Sequence, residues 1–463
     1  QNAFVRRLPD GVTYRFHHMM KECALRVFLT LPQERRNDCR RRFGAWYEQH
    51  RQYLHAMQAY DQSGDYHALL RVVQQDAGIL LSSLDPKNVL DFLDECPEDT
   101  LKAHPAALLV LMRSMFNWRN IPRMLALRQL LLTAIDEDRQ RSAEERGNLL
   151  GECDLIMSFL CYNDISAMSR LHRSASAQMS RPAVSIQSSG GWTFGSPSVL
   201  MMFYRAPGEL ESELAEMDEC MPHYYKITGS HGQGAETIMH AEAAFMQGRF
   251  TDAHIALERA YAQIEGNGQE NMALCCDFLA RRLSLFTDIG QRAKLEKRRE
   301  RLLAHHNVSW LNLWNAAAAY HHALLGSTDS IPEAYRRHRL FTVRTLAPGK
   351  PMIEMIENQV YLAQGEYAHV IGRSEGLLTQ CEAMHYALVA LHIRIQTAAA
   401  YEMLGKHGEA RALLERALAD AEPDGFALPF AENFRYLEPL LIERLQDGLT
   451  ERIIRLGGLA GQR

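Results

Sequence analysis

The sequence predicts an all-α fold, a right-handed superhelix of helical hairpins with a short N-terminal β-hairpin and helix. Apolar residues recur with helical spacing from about residue 17 onward. Strand-like alternation is confined to the residues before that point. A glycine-centred turn motif then recurs at several places along the 463-residue chain. These three observations favour stacked helix pairs over a sheet protein.

The first predicted element is a β-hairpin. Two extended runs, residues 4–8 and 12–16, flank the sequence Pro9-Asp10-Gly11. Glycine supplies the positive φ that a tight turn needs, so this pattern predicts two antiparallel strands. An isolated hairpin is marginal in water, and we therefore expect it to pack on a preceding segment or on the next helix.

Helical hairpins follow, each marked by a glycine, a charged residue and then an aromatic residue or histidine. The motif occurs at Gly64-Asp65-Tyr66, Gly248-Arg249-Phe250, Gly365-Glu366-Tyr367 and Gly405-Lys406-His407. Three or four residues before each glycine stands an aromatic residue, and five residues after it stands a small or apolar one. Glycine would end the first helix, and the aromatic ring would fill the space between the two helices.

These units resemble tetratricopeptide repeats, most clearly at residues 243–262 and 398–418. A single hairpin cannot bury its apolar stripe, so neighbouring hairpins must stack into a superhelix. The alternative is an ordinary helical bundle in which similar turns recur by chance.

Residues 181–208 interrupt the helical pattern. Serine, glycine and proline are dense there, yet the segment also holds Trp192, Phe194, Phe203 and Tyr204. A flexible linker would lack these aromatic residues, so we expect an ordered insertion that packs over the superhelix. Long ordered loops often carry function. A second loop, residues 228–234 with His231, precedes the strongest repeat.

Composition narrows the class of protein. The chain is 47% hydrophobic and 23% charged, which is ordinary for a globular protein and excludes disorder. A net charge of -5 does not indicate a general nucleic-acid binder. The nine cysteines include no Cys-x-x-Cys pair, which favours buried thiols in a reducing cytoplasm over disulfides or zinc. No apolar run approaches the ~18 residues of a membrane helix.

Metal and catalytic sites are not predicted. Adjacent imidazoles on a helix, as at His17-His18, His305-His306 and His321-His322, point about 100° apart and cannot hold one metal together. No Gly-x-Ser-x-Gly elbow is present, and the neighbours Ser230 and His231 do not make a nucleophile and its base. We therefore expect no enzymatic activity.

One helix is a candidate ligand contact. Trp310, Leu313, Trp314 and Ala317 form a stripe at helical spacing. Tryptophan rings beside asparagine and histidine can stack on a sugar or another flat ligand. The more ordinary alternative is that both rings fill the core between helices. The candidate ligand-binding residues are Trp192, Phe194, Tyr204, His231, Trp310 and Trp314.

Seven short motifs follow one another in a characteristic order. They are Tyr14-Arg15-Phe16-His17-His18-Met19-Met20, Ala45-Trp46-Tyr47-Glu48-Gln49-His50, Tyr53-Leu54-His55-Ala56-Met57, Gly64-Asp65-Tyr66, Cys96-Pro97-Glu98, His104-Pro105-Ala106-Ala107-Leu108 and Asp424-Gly425-Phe426-Ala427-Leu428-Pro429-Phe430. This order resembles the large ATP-binding LuxR-type transcription regulators. That family is similar to the maltose-regulon activator and belongs to the signal-transduction ATPases with numerous domains.

The resemblance implies a fragment of a larger bacterial regulator. In that family the superhelical array receives the inducer, the ATPase domain oligomerises, and a C-terminal helix-turn-helix binds promoter DNA. This chain lacks the Gly-x-x-x-x-Gly-Lys-[Ser/Thr] phosphate loop, and no helix-turn-helix fits after Phe430. ATP hydrolysis and DNA binding are therefore expected only of domains outside this sequence, and no cofactor is expected here.

The resemblance and the repeat pattern together predict five regions. They are residues 1–42, the end of a winged-helix domain; 43–180, N-terminal helical repeats; 181–234, the insertion and connecting helices; 235–445, C-terminal tetratricopeptide-like repeats; and 446–463, a tail toward the missing helix-turn-helix.

The predicted function is non-enzymatic, cytoplasmic signal reception. A small-molecule inducer or a regulatory protein would occupy the concave groove and bias the ATPase and DNA-binding domains, and the full-length protein could self-associate. The alternative is a tetratricopeptide-repeat scaffold that binds a protein segment and has no small-molecule ligand.

Overall fold

The computed structural model describes residues 5–7, 14–288, 292–305, 307–340, 345–444 and 448–460. Within these ranges the predicted all-α fold of helical hairpins with a short N-terminal β-hairpin is confirmed. Strands β1 (Val5–Arg7) and β2 (Tyr14–Phe16) pair in antiparallel fashion, with Val5 opposite Phe16. The Pro9-Asp10-Gly11 turn predicted between them lies outside the described residues.

The part of the chain before the insertion forms ten helices in the described ranges. They are α1 (His18–Thr30), α2 (Gln33–Gln49), α3 (Tyr53–Ser63), α4 (Tyr66–Asp76), α5 (Pro86–Glu95), α6 (Glu98–Lys102), α7 (Pro105–Asn117), α8 (Ile121–Glu137), α9 (Ala143–Met157) and α10 (Ile165–Gln178). Neighbours in sequence pack on one another, notably α2 on α3, α7 on α8 and α9 on α10. The predicted boundary after residue 42 falls inside α2.

Short helix α11 (Val199–Phe203) lies in the insertion, and longer helices follow it. They are α12 (Leu210–Thr228), α13 (Ala235–Met246), α14 (Phe250–Glu265), α15 (Glu270–Leu283), α16 (Arg292–Ala304), α17 (Val308–Leu324), α18 (Glu333–Arg336), α19 (Lys350–Ala363), α20 (Tyr367–Met384), α21 (Ala387–Met403), α22 (His407–Ala421), α23 (Leu428–Glu432), α24 (Phe434–Glu443) and α25 (Gly448–Ala460). Together with α3–α4, the pairs α13–α14, α19–α20 and α21–α22 are the four hairpins that the glycine motif predicted.

The four motif glycines adopt the same turn. Gly64, Gly248, Gly365 and Gly405 all have positive φ, between 68° and 78°. In each turn the residue after the glycine donates its backbone N–H to the carbonyl five residues earlier, as from Asp65 to Tyr60. This pairing satisfies carbonyls at the end of the first helix, and glycine adopts the required conformation without strain.

The same turn also occurs without glycine. Arg119, between α7 and α8, has a φ of 59°, and Asn120 N–H donates to the Met115 carbonyl. His385, between α20 and α21, repeats the arrangement with a φ of 53°. Sequence patterns built on glycine therefore miss these two chain reversals, although the backbone hydrogen bonds are equivalent.

The insertion has a defined structure and contacts the repeats on both sides of it. It lies between the earlier and later repeats, with Trp192 and Tyr204 both buried. Asn271 of α15 accepts hydrogen bonds from the backbone N–H groups of Trp192 and Thr193, at 2.8 and 3.1 Å. Buried side chains thus replace water as partners of this irregular backbone, which allows it to occupy the interior.

Residues near the C-terminal end of the chain contact the insertion and helix α13. Asp424 accepts hydrogen bonds from the Tyr204 hydroxyl at 2.5 Å and from the Gly208 backbone at 2.6 Å. The Ala427 N–H donates to the Met246 carbonyl of α13. Segments more than 150 positions apart are therefore held together around the insertion.

Glu242 lies beneath the insertion and should make stability depend on pH. Its carboxylate accepts a hydrogen bond from the Leu200 N–H at 2.7 Å, yet burial raises its pKa from 4.5 to about 7. Between these two values the native state retains a proton that the unfolded state has lost, so stability falls as the pH rises.

We expect Glu242→Gln to remove this dependence, with a gain relative to the parent that grows to about 3 kcal/mol by pH 8. Urea unfolding of both proteins between pH 5 and pH 8 measures the difference. The exposed change Glu443→Gln is the control and should leave the profile unaltered. Parallel profiles for Glu242→Gln and the parent would contradict the shifted pKa.

Candidate functional site

A small cavity, of about 50 Å³, lies where three parts of the chain meet. The early repeats contribute Gly78, Ile79, Ser82, Arg113 and Asn117. The insertion contributes Gly191, Phe194 and Gly195. The later repeats contribute Asn271, Ser309, Trp310, Asn312, Leu313, Tyr335, Thr345, Leu346 and Ile353. A molecule bound there would touch all three parts at once.

The wall from the early repeats is built around a turn after α4. Asp76 accepts hydrogen bonds from the backbone N–H groups of Leu80 and Leu81, which fixes the turn. Arg113 of α7 reaches this turn and donates through Nη2 to the Ala77 carbonyl. Gly78 has a φ of 77°, and a Cβ there would lie 2.8 Å from Arg113 Nη2. The glycine therefore makes room for the guanidinium.

The wall from the insertion is an aromatic plug. The Phe194 ring meets Phe116, Phe159 and Tyr162 edge to face, with centroids 5.2–5.5 Å apart. Its backbone is left-handed, with a φ of 50°. Gly349, at the start of α19, packs so closely that an added Cβ would collide with the Gly195 carbonyl. This part of the wall is thus held by both halves of the chain.

The wall from the later repeats carries Trp310 in the first turn of α17. Asn307 caps this helix and accepts a hydrogen bond from the Trp310 N–H at 3.1 Å. Gly191 faces the indole, and a Cβ there would lie 3.5 Å from Trp310 Nε1. The ring is partly exposed, unlike the buried rings around it. Trp310 is therefore a flat apolar surface at the cavity.

Three polar groups at the cavity lack partners among the described residues. They are Arg113 Nη1, Asn117 Oδ1 and the Tyr335 hydroxyl. Arg113 is 7% exposed and Tyr335 is 1% exposed. Buried donors and acceptors are normally paired, so these three residues have unused hydrogen-bonding capacity beside the cavity.

The charge balance of the cavity is positive. Among the described residues that line the cavity, Arg113 is the one charged side chain. Burial lowers the pKa of its guanidinium, which nevertheless stays protonated because the ordinary value is 12.5. Asp76 lies behind the wall, where burial raises its pKa to about 6 and the positive charge of Arg113 opposes that rise in part.

Two of the six candidate residues from the sequence, Phe194 and Trp310, line this cavity. The other four lie in packed positions away from its lining. Trp192 packs against Phe203, and Tyr204 donates to Asp424. His231 Nδ1 lies 2.6 Å from the Tyr224 hydroxyl, and Trp314 Nε1 donates to the Leu295 carbonyl at 3.1 Å.

The structure adds residues that the sequence did not single out, above all Arg113. A signal for it exists, because it is the one charge in the apolar run 105–116. A charged residue in such a run is either buried at a functional site or paired with a nearby opposite charge. Asn117 and Tyr335 carry no comparable signal, since they reach the cavity only through packing of distant repeats.

A second depression is an open groove of about 1360 Å³ between the α7–α8 turn, the start of α10 and the end of α20. Its charged lining residues have both signs, and Arg205 forms ion pairs with Asp164 at 3.8 Å and Glu213 at 3.5 Å. The others are Arg119, Glu209 and Lys350. Burial raises the pKa of Glu213 to about 7. The groove is wider than the cavity, and more charged side chains line it.

Comparison with protein-family models and with curated proteins finds no match. In the part of the chain that the structure describes, no three histidine, cysteine or acidic side chains are grouped so as to hold a metal ion. Among the described helices, none is both long enough and apolar enough to cross a bilayer. The cavity and the groove are therefore the features on which a functional proposal rests.

Proposed function

We propose that this chain is the effector-sensing superhelical region of a bacterial LuxR-type transcription regulator, and that a small molecule binds in the cavity between its two halves. It is cytoplasmic and not an enzyme, and ATP and promoter DNA are handled by other domains of the parent protein. The observation that carries the proposal is the cavity itself, whose walls come from the early repeats, the insertion and the later repeats.

The location of the cavity supports a relay. Arg113 belongs to the early repeats and Trp310 to the later ones, so one ligand would contact both. A ligand shifts a conformational equilibrium only through different affinities for the two states. A state in which the halves separate loses half of the ligand contacts, so binding favours the closed arrangement. That preference is what the parent protein would transmit.

Trp310→Ala should abolish binding while leaving the fold intact. The expected measurement is a thermal-shift screen of the chain against monosaccharides, amino acids and aromatic acids. Compounds that raise the melting temperature of the parent protein should not do so for the variant, because the indole supplies the flat apolar surface of the cavity.

Trp314→Ala is the matched control, one helical turn further along α17. Its ring is buried outside the cavity between α16 and α17, with Arg281 stacked on it at 4.7 Å. Truncation should therefore lower stability by about 3–5 kcal/mol without reducing the ligand-induced shift. Equal loss of the shift in both variants would contradict binding at the cavity.

The open groove favours a second candidate, a scaffold that binds a protein segment. Its width and mixed charge suit an extended polar peptide better than a small molecule. In that case no compound in the screen shifts the melting temperature, and the charge reversal Lys350→Glu reduces capture of a peptide partner. A ligand-induced rise in melting temperature that is lost in Trp310→Ala would support the sensor over the scaffold.

A further inference from the structure

We infer that the molecule taken by the cavity is an aromatic monocarboxylate whose carboxylate pairs with Arg113. This inference deepens the proposed function and rests on it, since it names the chemical class of the ligand. Three features of the cavity support this inference: a buried guanidinium with an unpartnered donor, two neutral polar groups, and an apolar slot.

The guanidinium provides the anchor. Arg113 is more than nine-tenths buried, and Nη2 is already engaged by the Ala77 carbonyl. Nη1 has no partner among the described residues. An arginine fork in a low-dielectric site pairs best with a planar anion that accepts two parallel hydrogen bonds, and a carboxylate has that geometry.

The charge count favours one negative charge. Among the described residues, no other cationic side chain lines the cavity. The carboxylate of Asp76 accepts hydrogen bonds from the backbone N–H groups of residues 80 and 81. A monoanion would neutralise Arg113, whereas a phosphate dianion would bury a surplus charge at high cost.

The neutral polar groups would set the orientation of the bound ligand. Asn117 Oδ1 and the Tyr335 hydroxyl are also unpartnered within the described residues. They suit a hydroxyl substituent on the ligand, which donates to the amide oxygen or accepts from the phenol. The remaining wall is mixed: Trp310, Phe194 and Leu346 belong to its apolar part, and its polar residues are Ser82, Asn271, Ser309, Asn312 and Thr345. A ring fits between the apolar side chains better than a hydrated sugar does.

The test uses matched neutral probes. Calorimetric titration of the full 463-residue chain is carried out with benzoate, 4-hydroxybenzoate and phenylacetate, and with the primary amide of each acid. We expect each acid to bind about 10- to 100-fold more tightly than its amide, because a hydrogen-bonded charge pair is worth that factor. Amides that bind as tightly as the acids would overturn the inference, and so would phenyl phosphate binding more tightly than benzoate.

Substitutions of Arg113 distinguish an effect on the charge of the cavity from an effect on folding. In Arg113→Gln the preference for acid over amide should disappear, and in Arg113→Lys it should persist at lower affinity. If Arg113→Gln does not fold, the comparison of acids with amides on the parent protein still tests whether the ligand is a carboxylate. Trp310-dependent binding of neutral sugars would contradict the inference of a carboxylate ligand. It would remain consistent with the proposed sensor function. Failure of every compound would contradict both.

Discussion

Replacing Glu432 with alanine is expected to lower the free energy of unfolding by about 3–5 kcal/mol. Glu432 of α23 meets Arg282 of α15 in a two-pronged ion pair, at 2.7 Å from Nε and 2.9 Å from Nη2. The two side chains are 0% and 2% exposed. The Tyr320 hydroxyl adds a third hydrogen bond to the carboxylate at 2.9 Å.

The size of this effect follows from what remains after the change. Arg282 lies against the rings of Phe245 and Phe278, 5.0 and 5.4 Å from its guanidinium carbon. These faces attract a cation but cannot replace an anion in a dry interior, so a buried charge is left without its partner. Urea unfolding of the parent and the variant, both at pH 7, measures the cost.

Two further changes sharpen this test. The double change Arg282→Met with Glu432→Leu removes both charges, and we expect it to recover most of the lost stability. Glu443→Ala breaks the exposed pair with Arg411 and should cost no more than about 1 kcal/mol. A Glu432→Ala protein as stable as Glu443→Ala would show that the buried pair does not hold α23 to α15.

The hairpins were predictable because their signals are local. The turn at Gly248 and the small residue Ala253 lie on one short stretch, and both reflect steric needs of two adjacent helices. The same holds for β1 and β2, whose alternation identifies them as strands. Turns centred on Arg119 and His385 have no such mark, because there tertiary packing compensates for an unfavourable conformation.

The cavity was only partly predictable because it is not local. Trp310 and Phe194 stood out as aromatic residues in unusual surroundings, and both line it. Trp314 has the same residue type on the same helix, yet it faces α16. Periodicity places a residue on a face of a helix, but which neighbour covers that face depends on how distant repeats stack. Arg113 and Tyr335 meet only through that stacking.

Phe194→Ala is expected to lower the free energy of unfolding by about 3–5 kcal/mol. The Phe194 ring is the centre of an aromatic cluster that joins the insertion to the early repeats. Removing it leaves a void that Phe116, Phe159 and Tyr162 cannot fill without moving the backbone of α7. Phe194→Leu keeps most of the apolar volume and should cost roughly half as much.

The backbone of Phe194 provides a sharper check on the same prediction. A φ of 50° is strained for any residue with a Cβ, by about 1–2 kcal/mol, and glycine escapes that strain. Glycine loses more chain entropy on folding, by about 0.5–1 kcal/mol. Phe194→Gly should therefore be at least as stable as Phe194→Ala in urea unfolding, the reverse of their order in a helix. A glycine variant clearly less stable than the alanine variant would mean that the aromatic cluster does not hold this residue in the left-handed conformation.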